Sequence, residues 1–126
     1  MPETVIRVYR KSDGTIPLDE WLDELEGSDL RAYKKCLDRI ILLEKLGSEL
    51  RRPIADTLRD GIRELRAKVG TVNYRILYFF SGANIVCLSH GLTKESDVPD
   101  DEIDLAIQRK KLVIRDLERY SAAWER

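Results

Sequence analysis

The sequence predicts an α+β domain in which an N-terminal helical hairpin and a C-terminal helix pack on a twisted, mostly antiparallel sheet, in the order β-α-α-β-β-β-α. Two observations predict this class. One strand-like segment is followed by two segments with helical spacing of apolar residues, and three strand-like segments then follow with short Gly-containing links. With 126 residues, the chain is expected to form one domain over 1–126, with a core at about 4–119 and a tail at 120–126.

The N-terminal elements follow from local sequence signals. Thr4–Arg10 alternates and is rich in β-branched residues, which predicts a strand. A helix is predicted from Pro17, with acidic residues in its first turn and Gly27 after its end. Ser28 is predicted to cap a second helix that ends at Gly47. The two helices are expected to cover one face of the sheet.

The remaining segments are predicted to supply most of the sheet and the last helix. Residues 51–61 are expected to form a connection without regular structure. Pro99 and the acidic residues after it are typical of the first turn of a helix. The predicted strands and helix are Ile62–Val69, Thr71–Phe80, Asn84–Leu92, and Asp100 to about Arg119.

Composition excludes several classes of protein. Hydrophobic residues make up 43% of the chain and charged residues 36%, which is typical of a soluble globular protein. The chain contains no apolar run long enough to cross a membrane and no apolar core of a signal peptide, so we expect a cytoplasmic protein. Cys36 and Cys87 are expected to be reduced core residues. With a single His and two separate Cys, we expect no metal site and no cofactor.

The charge is distributed unevenly along the chain. The formal net charge is −1, but residues 58–94 carry six Lys/Arg and only two Asp/Glu. The segments on either side are acidic, with a net charge of −2 over 1–57 and −3 over 95–126. This pattern indicates a polyanion-binding face in the middle of the chain.

Strand alternation and loop length predict where the cations lie. If Gly70 and Thr71 form a two-residue hairpin loop, Val69 pairs with Val72 and Arg66 stands opposite Arg75. If the next loop centres on 82–83, Arg75 stands opposite His90. Alternation along the third of these strands also predicts that four residues share one face, namely Val86, Leu88, His90 and Leu92. These registers predict a row of Arg66, Arg75 and His90 across three strands, with Lys68 and Lys94 beside it.

Such a row is suited to phosphodiester chemistry. Arg66 and Arg75 would hold phosphate oxygens and stabilise the transition state, and His90 or Lys94 would transfer a proton. RNA cleavage through the 2′-hydroxyl needs no metal. The candidate RNA-binding residues are Arg63, Lys68, Asn73 and Tyr78, although alternation places Tyr78 on the face opposite Arg75.

Structural interpretations of the same residues stay open. Arg66 and Arg75 can form ion pairs with Glu64 or with other acids, and His90 can be a structural histidine. Tyr78 can belong to the core rather than to an RNA-binding surface.

Several motifs occur together between Leu58 and Lys111. They are L-x-x-G-x-x-E-L-R from Leu58, Y-R-x-L-Y from Tyr74, L-x-H-G-x-x-K from Leu88, and a Pro-acidic helix start followed by Ile103 and Ala106. In this combination the chain resembles the HigB-like, phage-derived branch of the RelE/ParE superfamily of bacterial type II toxins.

The resemblance implies a RelE-like fold and an mRNA interferase, which is an endoribonuclease that cleaves mRNA on the ribosome through a 2′,3′-cyclic phosphate. Arg66, Arg75 and Lys94 match the family's basic active face, and His90 matches the His of its L-x-H-G motif. The implied partners are mRNA, the ribosome and a cognate antitoxin, typically a helix-turn-helix DNA-binding protein that holds the toxin in a hetero-oligomer. Two alternatives are a ParE-like inhibitor of DNA gyrase without nuclease activity, and an inactive homologue that only binds its antitoxin.

Overall fold

A computed structural model describes residues 4–94 and 96–126, without the side chain of Lys94. It contains a six-stranded sheet in the order β2-β3-β4-β5-β1-β6. Neighbouring strands are antiparallel except for β1 and β5, which run parallel. The predicted α+β class is therefore confirmed. The strands are β1 Val5–Tyr9, β2 Ala55–Thr57, β3 Arg63–Val69, β4 Val72–Phe80, β5 Ile85–Lys94 and β6 Ser121–Ala123.

In the described part of the chain, four helices pack on the sheet. They are α1 Pro17–Ser28, α2 Leu30–Leu46, α3 Asp100–Arg115 and α4 Leu117–Tyr120, and a short 3₁₀ turn at Gly47–Glu49 follows α2. None of the helices in the described ranges is long and apolar enough to span a membrane.

The boundary between α1 and α2 differs from the prediction. α1 continues through Gly27 to Ser28, so Gly27 does not end it. Asp29, rather than Ser28, caps α2, because its carboxylate accepts a hydrogen bond from the Ala32 N–H at 3.1 Å. Asp and Ser are equally good caps, and the carboxylate lies one residue nearer to the start of α2. Gly47 ends α2 with a positive φ of 55°, as predicted.

Three further elements were not predicted. β2 lies within the expected connection, where Asp56 pairs with Glu64 of β3. The last helix breaks at Asp116, whose side chain accepts a hydrogen bond from the Arg119 N–H at 3.2 Å and so starts α4. The segment expected to be a tail instead forms β6, because it pairs with β1 at the edge of the sheet.

The sheet has a hydrophobic core on each face. Under α1 and α2 the core includes Leu65, Ile76 and Tyr78 of the central strands, as alternation predicts. On the other face, Leu77 and Phe79 pack with α3 in a second core. The face that carries Arg66 and Arg75 is therefore covered by α3 over part of its length rather than open throughout. The free thiols of Cys36 and Cys87 are buried, one in each core.

The predicted register is confirmed for one hairpin and wrong for the next. Val69 pairs with Val72 and Arg66 stands opposite Arg75, as predicted. Arg75, however, stands opposite Leu92, and His90 stands opposite Leu77. The loop after β4 is one residue longer than expected, since the Ser81 N–H donates to the Ile85 carbonyl at 2.7 Å. A β-bulge at Ser89 adds a second residue to the shift.

The bulge also changes which side chains of β5 point to each face of the sheet. Before it, Val86 and Leu88 point to the core under α1 and α2. After it, Leu92 lies in the core under α3, so these residues do not share one face as predicted. Ser89 and His90 both face α3, and both contact Arg109 there.

Gly91 of β5 lies against Trp21 of α1. A Cβ atom at this position would collide with the indole ring of Trp21, which packs directly on the Gly91 backbone. The glycine of the L-x-H-G motif is therefore explained by close packing rather than by chemistry.

Gly91→Ala should lower the free energy of unfolding by about 1–3 kcal/mol, because the added methyl group must displace the Trp21 ring or the strand. Urea denaturation measures this change. Gly27→Ala is the matched control, because its Cβ meets no atom within 4 Å and it lies inside α1, where alanine favours the helix. Equal stability changes in the two variants would contradict the packing argument.

Candidate active site

Two arginines on neighbouring strands share one buried carboxylate. Arg66 and Arg75 stand directly opposite each other on β3 and β4. Oε1 of Glu64 accepts a hydrogen bond from Arg75 Nη1 at 2.8 Å and another from Arg66 Nε. Glu64 is completely buried, whereas the side chain of Arg66 is 33% exposed. Like charges placed opposite each other destabilise a sheet, and Glu64 offsets that repulsion. These three residues are called the Arg–Glu–Arg cluster below.

A second carboxylate supports the exposed end of the cluster. Asp56 of β2 accepts a hydrogen bond from Arg66 Nη2 at 3.0 Å and forms an ion pair with Arg52 at 3.0 Å. The hydrogen bond from Arg52 holds the pKa of Asp56 below its usual range, and the hydrogen bond to Glu64 raises the pKa of Arg66. Arg66 is therefore fixed in place by two acids and stays charged.

The cluster retains hydrogen-bonding capacity. Among the described residues, buried Nε of Arg75 and buried Oε2 of Glu64 have no partner. Arg52, Arg66 and Arg75 carry three positive charges against two negative charges on Glu64 and Asp56. A site with excess positive charge and a partly exposed guanidinium can bind a phosphate group.

His90 lies in a separate network on the same side of the sheet. Its Nε2 is 2.8 Å from Oε2 of Glu102 in α3. Its Nδ1 is 2.7 Å from the Ser89 hydroxyl and 3.2 Å from Nη1 of Arg109. Because Nδ1 faces a guanidinium donor, the neutral tautomer with a proton on Nε2 fits these contacts.

The environment of His90 favours its neutral form. Burial lowers the pKa of His90; the hydrogen bond to Glu102 raises it, and the charge of Arg109 lowers it further. His90 joins β5 to α3 with both ring nitrogens engaged. Neither nitrogen is free to accept a substrate proton in this conformation.

The structure places the other predicted residues in different surroundings. Arg63 donates to the Leu50 carbonyl at 2.9 Å and lies over the Tyr78 ring, in the core layer under α2. Tyr78 is completely buried. Lys68 is exposed and pairs with half-buried Asn73 at the end of the hairpin. Lys94 ends β5 opposite Asn73, and its side chain lies outside the described part of the structure.

The structure thus brings Arg66 and Arg75 together but keeps His90 apart from them. Sequence reasoning missed Asp56 and Arg109. Arg109 occurs at helical spacing among the buried residues Ala106 and Val113, and a charged residue at such a position signals a buried interaction. Within 4–94 and 96–126, no three His, Cys, Asp or Glu side chains are grouped in a way that could hold a metal ion.

A comparison with protein families places these features in a known group. The model of the family described as "Phage derived protein Gp49-like (DUF891)" matches residues 20–111, well over half of the chain. This chain belongs to the Gp49-like family. The Gp49-like family is a group of RelE/HigB-like toxins, and membership implies an antitoxin partner. The matched range includes the Arg–Glu–Arg cluster and the network of His90. No curated protein matches the chain.

Replacing Glu64 tests the cluster of this Gp49-like protein. Glu64→Gln should lower the free energy of unfolding by about 3 kcal/mol, because two adjacent cations, one of them buried, lose their shared counter-charge. Asp104→Asn removes the exposed ion pair with Arg59 and should cost less than about 1 kcal/mol. Chemical denaturation of both variants measures the difference. Equal losses would contradict the role of Glu64 as the shared counter-charge of the two arginines.

The depressed pKa of His90 predicts a pH dependence of stability. Below the unfolded-state pKa of about 6.5, the unfolded chain binds a proton that the folded protein resists. The contribution of His90 is therefore present above that pH and is lost as the pH falls. His90→Gln should flatten the decline in the free energy of unfolding between about pH 7.5 and 5.5. Parallel pH profiles of the wild type and the variant would contradict this assignment.

Proposed function

We propose that the protein is the toxin of a type II toxin-antitoxin system, of the HigB-like branch, and that it cleaves mRNA on the ribosome in the cytoplasm. The observation that carries this proposal is the Arg–Glu–Arg cluster, in which a buried carboxylate holds two guanidinium groups side by side. Two fixed guanidinium groups match the oxygens of a single phosphodiester, and membership of a RelE/HigB-like toxin family points to RNA as the source of that phosphodiester.

The proposed reaction is an internal transfer that needs no metal. The ribose 2′-oxygen attacks the neighbouring phosphorus, and the bond from phosphorus to the 5′-oxygen breaks. The products are a 2′,3′-cyclic phosphate and a free 5′-hydroxyl, so the proton lost by the 2′-hydroxyl is balanced by the proton gained by the leaving oxygen. Arg66 and Arg75 stabilise the negative charge that develops on the non-bridging oxygens.

Proton transfer is assigned to Lys94 rather than to His90. Lys94 lies two residues from Leu92, which pairs with Arg75, so its backbone is close to the cluster. Both ring nitrogens of His90 are already engaged by Glu102, Ser89 and Arg109. We assign His90 as a positioning residue that fixes β5 and α3.

The antitoxin is proposed to be a helix-turn-helix DNA-binding protein that forms a hetero-oligomer with this chain. Binding over the Arg–Glu–Arg cluster would neutralise the toxin, because Arg66 is the exposed member through which a phosphate can enter.

Arg75→Ala should reduce the rate of mRNA cleavage by about 10²–10³-fold, because a transition-state contact is lost. Primer extension on translated mRNA, with detection of 2′,3′-cyclic phosphate ends, measures this rate. Lys111→Ala, an exposed cation on α3, is the control and should cleave normally. The variants should be compared at equal folded fractions, because Arg75 also contacts buried Glu64.

Two outcomes would count against the nuclease. Full activity of both Arg66→Ala and Arg75→Ala would show that these residues do not form the active site. Intact mRNA together with gyrase-dependent DNA damage after expression of the wild type would favour a gyrase inhibitor instead.

A further inference from the structure

A strongly basic groove lies outside the Arg–Glu–Arg cluster. It has a volume of about 520 Å³ and runs between α2 and the end of the β3–β4 hairpin. Five of its lining residues are cations and one is an acid. These residues are Arg31, Lys34, Lys35, Arg39, Lys68 and Asp38.

Among the described residues, the cations of the groove have no carboxylate partners of the kind that Glu64 provides in the Arg–Glu–Arg cluster. In the described part of the chain, no carboxylate lies within ion-pairing distance of any of the five, whereas Arg66 and Arg75 share Glu64. Such a concentration of charge in a protein with a net charge of −1 creates a local positive potential.

The spacing of the cations suits an extended polyanion. Arg31, Lys35 and Arg39 follow one another at four-residue intervals along α2, which places successive cations about 6 Å apart. Lys68 extends the set onto β3, two residues from Arg66. Arg39 also donates a hydrogen bond to the Arg66 carbonyl at 3.1 Å, so the groove is joined directly to the strand that carries the cluster.

The composition of the lining favours a nucleic acid over a protein. Val69 and Gly70 are the only lining residues without a charge, and no aromatic residue is present in the groove. Protein-binding surfaces are typically centred on aromatic or other large apolar anchors and are poor in lysine. Lysine and arginine without such anchors are typical of contacts to phosphate groups.

We propose that this groove binds the phosphate backbone of a single RNA strand and guides it past Lys68, around the edge of β3, toward the Arg–Glu–Arg cluster on the other face of the sheet. The groove holds the strand without reading its sequence, because phosphate contacts are the same for every base. This inference builds on the proposed nuclease function, but it concerns binding and can be measured without cleavage.

The test uses a short single-stranded RNA with 2′-O-methyl groups throughout, which cannot be cleaved through the 2′-hydroxyl. Fluorescence anisotropy gives its dissociation constant over a series of salt concentrations. The variant Arg31→Ala/Lys34→Ala removes two exposed cations of α2. It should weaken binding by roughly 10- to 30-fold at moderate salt and reduce the slope of log K against log [salt] by about 1.4.

A matched control is available on another helix. Lys111→Ala/Arg115→Ala also removes one exposed lysine and one exposed arginine, from α3, and should leave affinity and salt slope unchanged. Equal effects of the two double variants, or no effect of either, would overturn the proposal. Loss of antitoxin binding with unchanged RNA binding in Arg31→Ala/Lys34→Ala would also overturn it, because the groove would then be a protein-binding surface.

Failure of the groove and failure of the nuclease are distinguishable. Arg75→Ala should lose cleavage of unmodified mRNA and, as one lost phosphate contact, should lower the salt slope for the methylated RNA by about 0.7, half of the change expected for Arg31→Ala/Lys34→Ala. If the wild type cuts no RNA but the groove variant still loses binding, the groove proposal stands and the nuclease proposal fails.

Discussion

The candidate site depends on one buried carboxylate. Glu64 has no exposed surface, yet it accepts hydrogen bonds from arginines on two strands. Without it, the positive charges of Arg66 and Arg75 would repel each other across the hairpin. With it, both guanidinium groups are held in place before any substrate arrives, and this preorganisation is what electrostatic catalysis requires. The same arrangement makes substitutions of Glu64 or Arg75 strongly destabilising, because removal of either residue leaves the other as an unpaired buried charge.

The bulge at Ser89 shapes the remainder of this face. It turns Ser89 and His90 toward α3 and leaves Gly91 beneath Trp21 on the opposite face. His90 then connects the strand to Glu102, so the His and the Gly of the L-x-H-G motif contribute to packing and to the attachment of α3. The proposed chemistry and the attachment of α3 are thereby assigned to neighbouring residues of the same sheet face.

The sequence predicted features that depend on short-range rules and failed where a single residue changed the register. Alternation along β3 and β4 placed Arg66 opposite Arg75, because the two-residue turn assumed at Gly70 and Thr71 is the turn that forms. The register of His90 was predicted wrongly, because neither the extra loop residue nor the bulged residue leaves a periodic signal in the sequence. The basic groove was not predicted from the sequence, for another reason. Summing charge over residues 1–57 gave −2 and averaged the cations of α2 with the acids of α1.

The most direct test of this account asks whether Arg75 contacts a non-bridging oxygen of the scissile phosphate. The measurement is the single-turnover cleavage rate of ribosome-bound mRNA that carries a phosphorothioate of defined configuration at the cleavage site. For the wild type, one of the two sulfur positions should slow cleavage strongly, because sulfur is a poorer acceptor for a guanidinium group. In Arg75→Ala that stereospecific effect should largely disappear, since the contact is already absent. The same stereospecific effect in both proteins would contradict the assignment of the Arg–Glu–Arg cluster as the phosphate-binding centre.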